Sequence, residues 1–158
     1  MHPPPPTRPA MDTATQEVLD LFGRVGLPPI ALHLGWRLVS WNAESKIIRA
    51  EFLTQPEFLN PAGYVQGGIL CAMLDDVMGS AFVAATGGAL IQSSIDMHVS
   101  FLAAAKPGYL YGVGQVVQLG KTIAFLAATL EDAAGKTMAR ASVSAKVIPG
   151  PVPGVTRP

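Results

Sequence analysis

One cysteine, Cys71, stands in the whole of this 158-residue chain. No disulfide can close within it, which agrees with a cytoplasmic setting. Neither charge sign is in excess: eleven Lys and Arg balance eleven Asp and Glu. A nucleic-acid binder shows a basic excess or a basic stripe, and neither is found. Polyanion binding is set aside, and a single phosphorylated ligand is left open. The opening MHPPPPTRPA has no apolar core of the kind a secretory signal needs. The most apolar window, Ile69 to Ile91, is broken by Asp75, Asp76 and glycines. That argues against a membrane span, which takes about 20 largely uncharged apolar residues.

What is present is a core. Apolar residues make up 49% of the chain, enough for one domain at this length. Residues 1–10 are proline-rich and read as disordered, residues 11–148 as one domain, and residues 149–158 as a flexible Pro/Gly tail. Thr13 to Val25 reads as a helix capped by Thr13 or Thr15, with Val18, Leu19, Leu21 and Phe22 as its apolar stripe. Gly26, Pro28 and Pro29 end it. His33 to Asn42 reads as a first strand and turn. Lys46 to Leu53 follows as a second strand, with Ile48, Ala50 and Phe52 on one face and Arg49 and Glu51 on the other. Thr54 to Val65 reads as loop.

Gly67 to Ala85 is apolar nearly all round, the mark of a buried helix. Thr86, Gly87 and Gly88 stop it. Four strand-like runs follow, at about 89–103, 109–119, 123–131 and 137–147. The short turns between them favour antiparallel pairing. The expected class is α+β, a curved antiparallel sheet wrapped around one long helix.

Within that helix, QGGILCAMLDD ends an apolar run on two carboxylates, Asp75 and Asp76. An ionised carboxylate buried without a partner is costly. Asp75 shares a lane of small residues with Gly68, Cys71, Ala72 and Gly79, which admits another backbone or a slender ligand. Its plain reading is a polar residue hydrogen-bonded at a subunit contact. Two features point to chemistry. Gly67 and Gly68 open the helix, where free N–H groups and the helix dipole favour negative charge. Asn60 lies on the preceding loop. Donors aimed at a developing oxyanion beside a carboxylate are parts for acyl transfer.

The run Asn60-Pro-Ala-Gly-Tyr-Val-Gln-Gly-Gly68, followed by Asp75, resembles the hotdog-fold acyl-CoA thioesterases of the phenylacetate-degradation (PaaI-like) group. Ser93 to Phe101, Val117 to Thr122 and Ala134 to Ala141 resemble that family's later strands and turns. The resemblance spans roughly Trp36 to Val147. It implies hydrolysis of an aryl- or medium-chain acyl-CoA to free acid and CoA, without a cofactor. It also implies a homodimer, often paired into a homotetramer, with sites shared between subunits. By position, the Gly67 N–H would polarise the thioester carbonyl, and Asp75 of the opposite subunit would act as general base or nucleophile. Asn60 would help place the acyl group or water, and Ser94 the water. Gln66 and Gly68 fall in the substrate-binding loop, and Lys121 reads as a turn lysine that can grip CoA phosphates. One position departs: Gln66 stands where the family carries His. Glutamine hydrogen-bonds but takes no proton near neutral pH, which keeps a non-catalytic acyl-CoA-binding protein as the alternative.

Other candidates read plainly. Alternation puts Ser94 with Gln92, Asp96 and His98 on one strand face, a solvated one unless a bulge changes the phase. His33 and His98 read as polar strand positions without metal-ligand spacing, and Cys71 as a small core residue. Trp36 and Trp41 read as packing residues. Gly112-Val-Gly114 lacks the third glycine of a dinucleotide fingerprint.

Overall fold

The computed structural model describes residues 10–150. The expectations for residues 1–9 and 151–158 lie outside the described residues. In chain order the elements are α1 (Thr13–Val25), α2 (Pro29–His33), β1 (Arg37–Asn42), β2 (Ile47–Leu53), a 3-10 turn (Pro56–Phe58), α3 (Gly67–Ala85), β3 (Leu90–Phe101), β4 (Tyr109–Leu119), β5 (Ile123–Glu131) and β6 (Thr137–Pro149).

Asp12 caps α1, not Thr13 or Thr15: its Oδ1 accepts the Thr15 N–H at 2.7 Å. Thr15 is instead buried, and its hydroxyl accepts the Trp41 N–H at 3.0 Å, tying α1 to β1. Gly26 ends α1 at φ +81°. The residues expected to be only a break and the start of a strand form α2, because Pro29 takes the first helical position, where its missing N–H costs nothing.

The six strands form one antiparallel sheet in the order β1-β2-β4-β5-β6-β3. Extra residues at Val39, Ile95 and Val117 break the register. Such bulges bend and twist a sheet, and this one curves around α3, which touches β2 through β6. By length and a mean hydropathy of 1.6, α3 would pass for a membrane span. Here Met73, Leu74, Val77, Met78, Ala81 and Phe82 are covered completely by the sheet and loops. The remaining face, with Cys71, Ala72, Asp75, Gly79 and Ser80, is only half-covered.

Two glycines set how closely α3 approaches. A Cβ at Gly114 would stand 2.3 Å from the Val77 carbonyl oxygen, and one at Gly112 would stand 3.2 Å from the Val77 side chain. The pair thus serves helix-on-sheet contact. Gly114→Ala is expected to push α3 off β4 and lower unfolding free energy by on the order of 3 kcal/mol, read from chemical denaturation. A midpoint equal to the parent's would contradict that contact.

One strand residue departs from its pattern. Glu51 lies on the face away from Ile48, Ala50 and Phe52, yet it is fully buried, with the Arg37 guanidinium paired to it from β1. Trp36 and Trp41 are buried in the core, and Trp36 meets the Phe22 ring edge-on at 5.2 Å.

Candidate active site

Asp75 projects from the half-covered face of α3 toward β3. Its Oδ1 accepts a hydrogen bond from the Ser94 hydroxyl at 2.8 Å. Gln92 Oε1 lies 3.2 Å from the same hydroxyl. The hydroxyl has one proton, and an ionised carboxylate is the stronger acceptor.

Ser94 reaches Asp75 because the bulge at Ile95 changes the phase of β3, and Ser94 is exposed, as its solvated reading expected. Before the bulge, Gln92 and Ser94 pair with Val147 and Ala145, on the side that faces α3. Beyond it, Met97 and Val99 pair with Val143 and Ala141 and pack on the core. Asp96 and His98 are left on the outer surface, where Asp96 accepts from the Ser144 backbone and hydroxyl. Those bonds hold its carboxyl below the usual carboxylate range. Ile95 itself is 60% exposed. One extra residue therefore puts Ser94 on the α3 side of β3 and His98 on the other, both of them exposed.

Asp76 was a partner in an unusual pair in the sequence but carried no role there. It points deeper than Asp75. Its Oδ2 is buried with no hydrogen-bond partner. Burial, with help from the Asp75 charge, pushes its carboxyl up to about 7. Both carboxylates line a groove of about 440 Å³ that runs between α3, the end of α1 and the start of β3.

The other end of α3 is a separate surface. Gln66 is the N-cap residue, and its side chain makes no capping bond. The Gly67 and Gly68 N–H groups, at the first turn, have no intrahelical acceptor. Asn60 builds the loop that leads there. Its Oδ1 accepts from Ala62 N at 2.9 Å and Tyr64 N at 3.2 Å, and its own N–H bonds Tyr64 O at 2.8 Å. Gly63 completes the turn at φ +79°. With its oxygen engaged, Asn60 keeps its NH2 as a donor. Asn60, Tyr64, Gly67, Leu70 and Phe101 line a second cavity of about 390 Å³. The Phe101 ring, 55% exposed, lies 3.3 Å from where a Gly67 Cβ would be. A Gly68 Cβ would meet nothing.

The predicted residues thus fall into two groups. Asp75 and Ser94 are in contact, and Asn60 and Gly67 share a cavity beside Gln66 and Gly68. The groups are not brought together within one chain. At about 1.5 Å per residue, Gly67 and Asp75 stand about 12 Å apart along α3. Lys121 lies exposed in the β4–β5 turn and lines neither cavity. His33 sits on α2, not on a strand, with its ring 5.2 Å from that of Phe58. Cys71 is only partly buried on α3, and desolvation raises its thiol pKa, which disfavours the thiolate. Among the described residues no group of three His, Cys, Asp or Glu could hold a metal ion.

Known proteins share this fold. The profile of the thioesterase superfamily matches residues 62–139. The phenylacetic acid degradation-related protein of Ralstonia eutropha is 29% identical, superposes with a TM-score of 0.76, and matches over 82% of this chain and 98% of its own. The Escherichia coli PaaI protein, from the phenylacetic acid degradation operon, has the same fold at 18% identity, with a TM-score of 0.75 over 87% of this chain and 98% of its own. A candidate esterase of Mycobacterium tuberculosis is 25% identical over 100 residues, 60% of this chain and 70% of that protein.

Proposed function

Because the chain belongs to the thioesterase superfamily, PaaI-like and folded as a hotdog, we propose that this thioester hydrolase cleaves an aryl- or medium-chain acyl-CoA to the free acid and CoA. The observation that carries the reading is the Ser94–Asp75 hydrogen bond. A bulge is needed to make it, and it holds one carboxylate at the wall of a ligand-sized groove.

The chemistry takes two subunits. A thioester carbonyl cannot touch both the Gly67 N–H and Asp75 of one chain across about 12 Å of helix. A second copy that presents its own Gly67 to this Asp75 completes the set. β3 supports that assembly: it is a long edge strand, bonded only to β6 on one side, and such edges invite pairing. In the composite site, Asp75 takes a proton from water as the water oxygen attacks the carbonyl carbon. The carbonyl oxygen gains the negative charge, and the partner's helix N-terminus stabilises it. The intermediate then collapses, the C–S bond breaks, and the CoA thiolate leaves with the proton that Asp75 took from water, which restores the carboxylate.

A streptococcal protein of this fold, 18% identical, was solved bound to acetyl-CoA. That supports the hotdog architecture as a frame for such a ligand.

The shared site has a direct test in thiol release from a panel of aryl- and alkyl-CoA thioesters. Asp75→Asn and Asn60→Ala proteins are each made, found weak, then unfolded and refolded together. Half of the random dimers carry one intact site, so mixing should restore about a quarter of wild-type turnover. A mixture no better than its parents would sink the shared site. Tight acyl-CoA binding without turnover by the unmodified protein would favour the binding module, with Gln66→His the first change to make.

A further inference from the structure

The groove that holds Asp75 is far larger than one carboxylate needs. From Asp75 it continues past Gly79 to Val83, one and two turns along α3 and away from the Gly67 end. Phe22, Val25 and Leu27 form the facing wall. At about 440 Å³ it falls within the range of small-ligand pockets. Its walls are apolar apart from three side chains beyond Asp75: Asp76 and Ser80, one turn apart on α3, and Gln92 from β3. Gln92 turns its Oε1 toward Ser94, and its Nε2 lies 3.6 Å from where a Gly79 Cβ would be. The amide NH2 therefore sits over the small-residue lane.

One of these groups lacks a partner. Asp76 Oδ2 is buried without one, an exception that native interiors seldom tolerate. With its carboxyl pushed up to about 7, a large share of Asp76 carries a proton near neutral pH. A protonated carboxyl, a hydroxyl and an amide NH2 can each donate. A pure hydrocarbon tail laid against them would exclude water and give nothing in return.

We propose that this groove takes the acyl group, and that Asp76, Ser80 and Gln92 select acyl chains carrying an oxygen, oxo or hydroxyl, beyond the thioester. The proposal rests on the thioesterase reading only for which part of the ligand enters the groove. Selection of this kind is strong because a site built around polar groups rejects the analogue that leaves them unpaired.

The test separates binding from turnover. CoA analogues in which CH2 replaces the thioester sulfur are titrated calorimetrically into the wild-type protein, comparing octanoyl with mid-chain oxo-octanoyl. The oxo analogue is expected to bind roughly tenfold tighter or better. Asp76→Leu should erase the preference, chiefly by weakening the oxo analogue. Ser80→Ala and Gln92→Leu should each reduce it severalfold, and they carry the test if Asp76→Leu does not fold. The proposal is overturned if wild type shows no preference, if the preference survives in all three variants, or if neither analogue binds. A preference that depends on Asp76, in a protein that hydrolyses neither thioester, would uphold the selection and sink the hydrolase reading.

Discussion

Asp75→Asn should lower kcat for thioester hydrolysis by about a hundredfold or more, the usual worth of a positioned general base. The substitution is close to isosteric. The Ser94 hydroxyl, now 2.8 Å from Asp75 Oδ1, can still donate to an amide oxygen there. The side chain is only half-covered and lies on the face of α3 away from its packed residues. Nothing in the core should shift, and the melting temperature and oligomeric state should match the parent. What is lost is the one property an amide lacks, the capacity to take a proton from water. Asp75→Ala removes the hydrogen bond as well, so it frees Ser94 and should be no more active. The decisive readings are kcat by thiol release and mass by light scattering on the same sample. Full turnover in a folded Asn variant would remove Asp75 from the chemistry. Lost turnover with a disrupted dimer would instead make Asp75 the structural contact that its small-residue lane first suggested.

Much of this site can be read along the chain, and the reasons differ by element. α3 was expected at the residues it occupies, because glycines and an apolar run mark both its ends. β4 and β5 likewise fall where turn residues bracket them. The N-cap of α1 was misplaced because Asp12 and Thr15 are both good capping types, and only the structure shows Thr15 spent on Trp41. α2 was missed because prolines read as breakers, although a proline at the first helical position starts a helix.

The face of Ser94 could not be read at all. A strand alternates with period two until a bulge inserts a residue, and Ile95 looks like any other strand residue. Asp76 was missed for a related reason. A helix position is buried or open according to what surrounds it in space, and the groove that Asp76 lines is walled by the end of α1, far away in sequence. One helix holds Asp75 and Gly67 apart within a chain, so in the proposed shared site they meet only through a second copy, for which the sequence carries a motif but no contact.

Asp76→Asn should remove the fall in stability that Asp76 causes as pH rises across the neutral range. The Asp76 carboxyl titrates near 7 in the folded protein, against 3.8 ordinarily. Between those values the folded chain holds a proton that the unfolded chain has released. Stability contributed by this group is therefore full below about pH 4 and is lost as pH rises toward 7. The slope is at most about 1.4 kcal/mol per pH unit and halves at the folded pKa, so from pH 5 to 7 the loss is roughly 2 kcal/mol. In a chain of this size that lowers the melting temperature by about 4–8 °C. Asp12 and Asp96, whose carboxyls are held below the usual range, act in the opposite sense. Their effect falls below about pH 4, outside the window. Every other group is common to both proteins and cancels in the difference. Asparagine does not titrate, so the variant should lack the decline and be the more stable protein at pH 8. Thermal melts of the two proteins at pH 5, 6, 7 and 8 read this directly. Parallel curves would mean that Asp76 is already ionised and solvated at pH 5, and the groove would then present two negative charges to any acyl group that enters it.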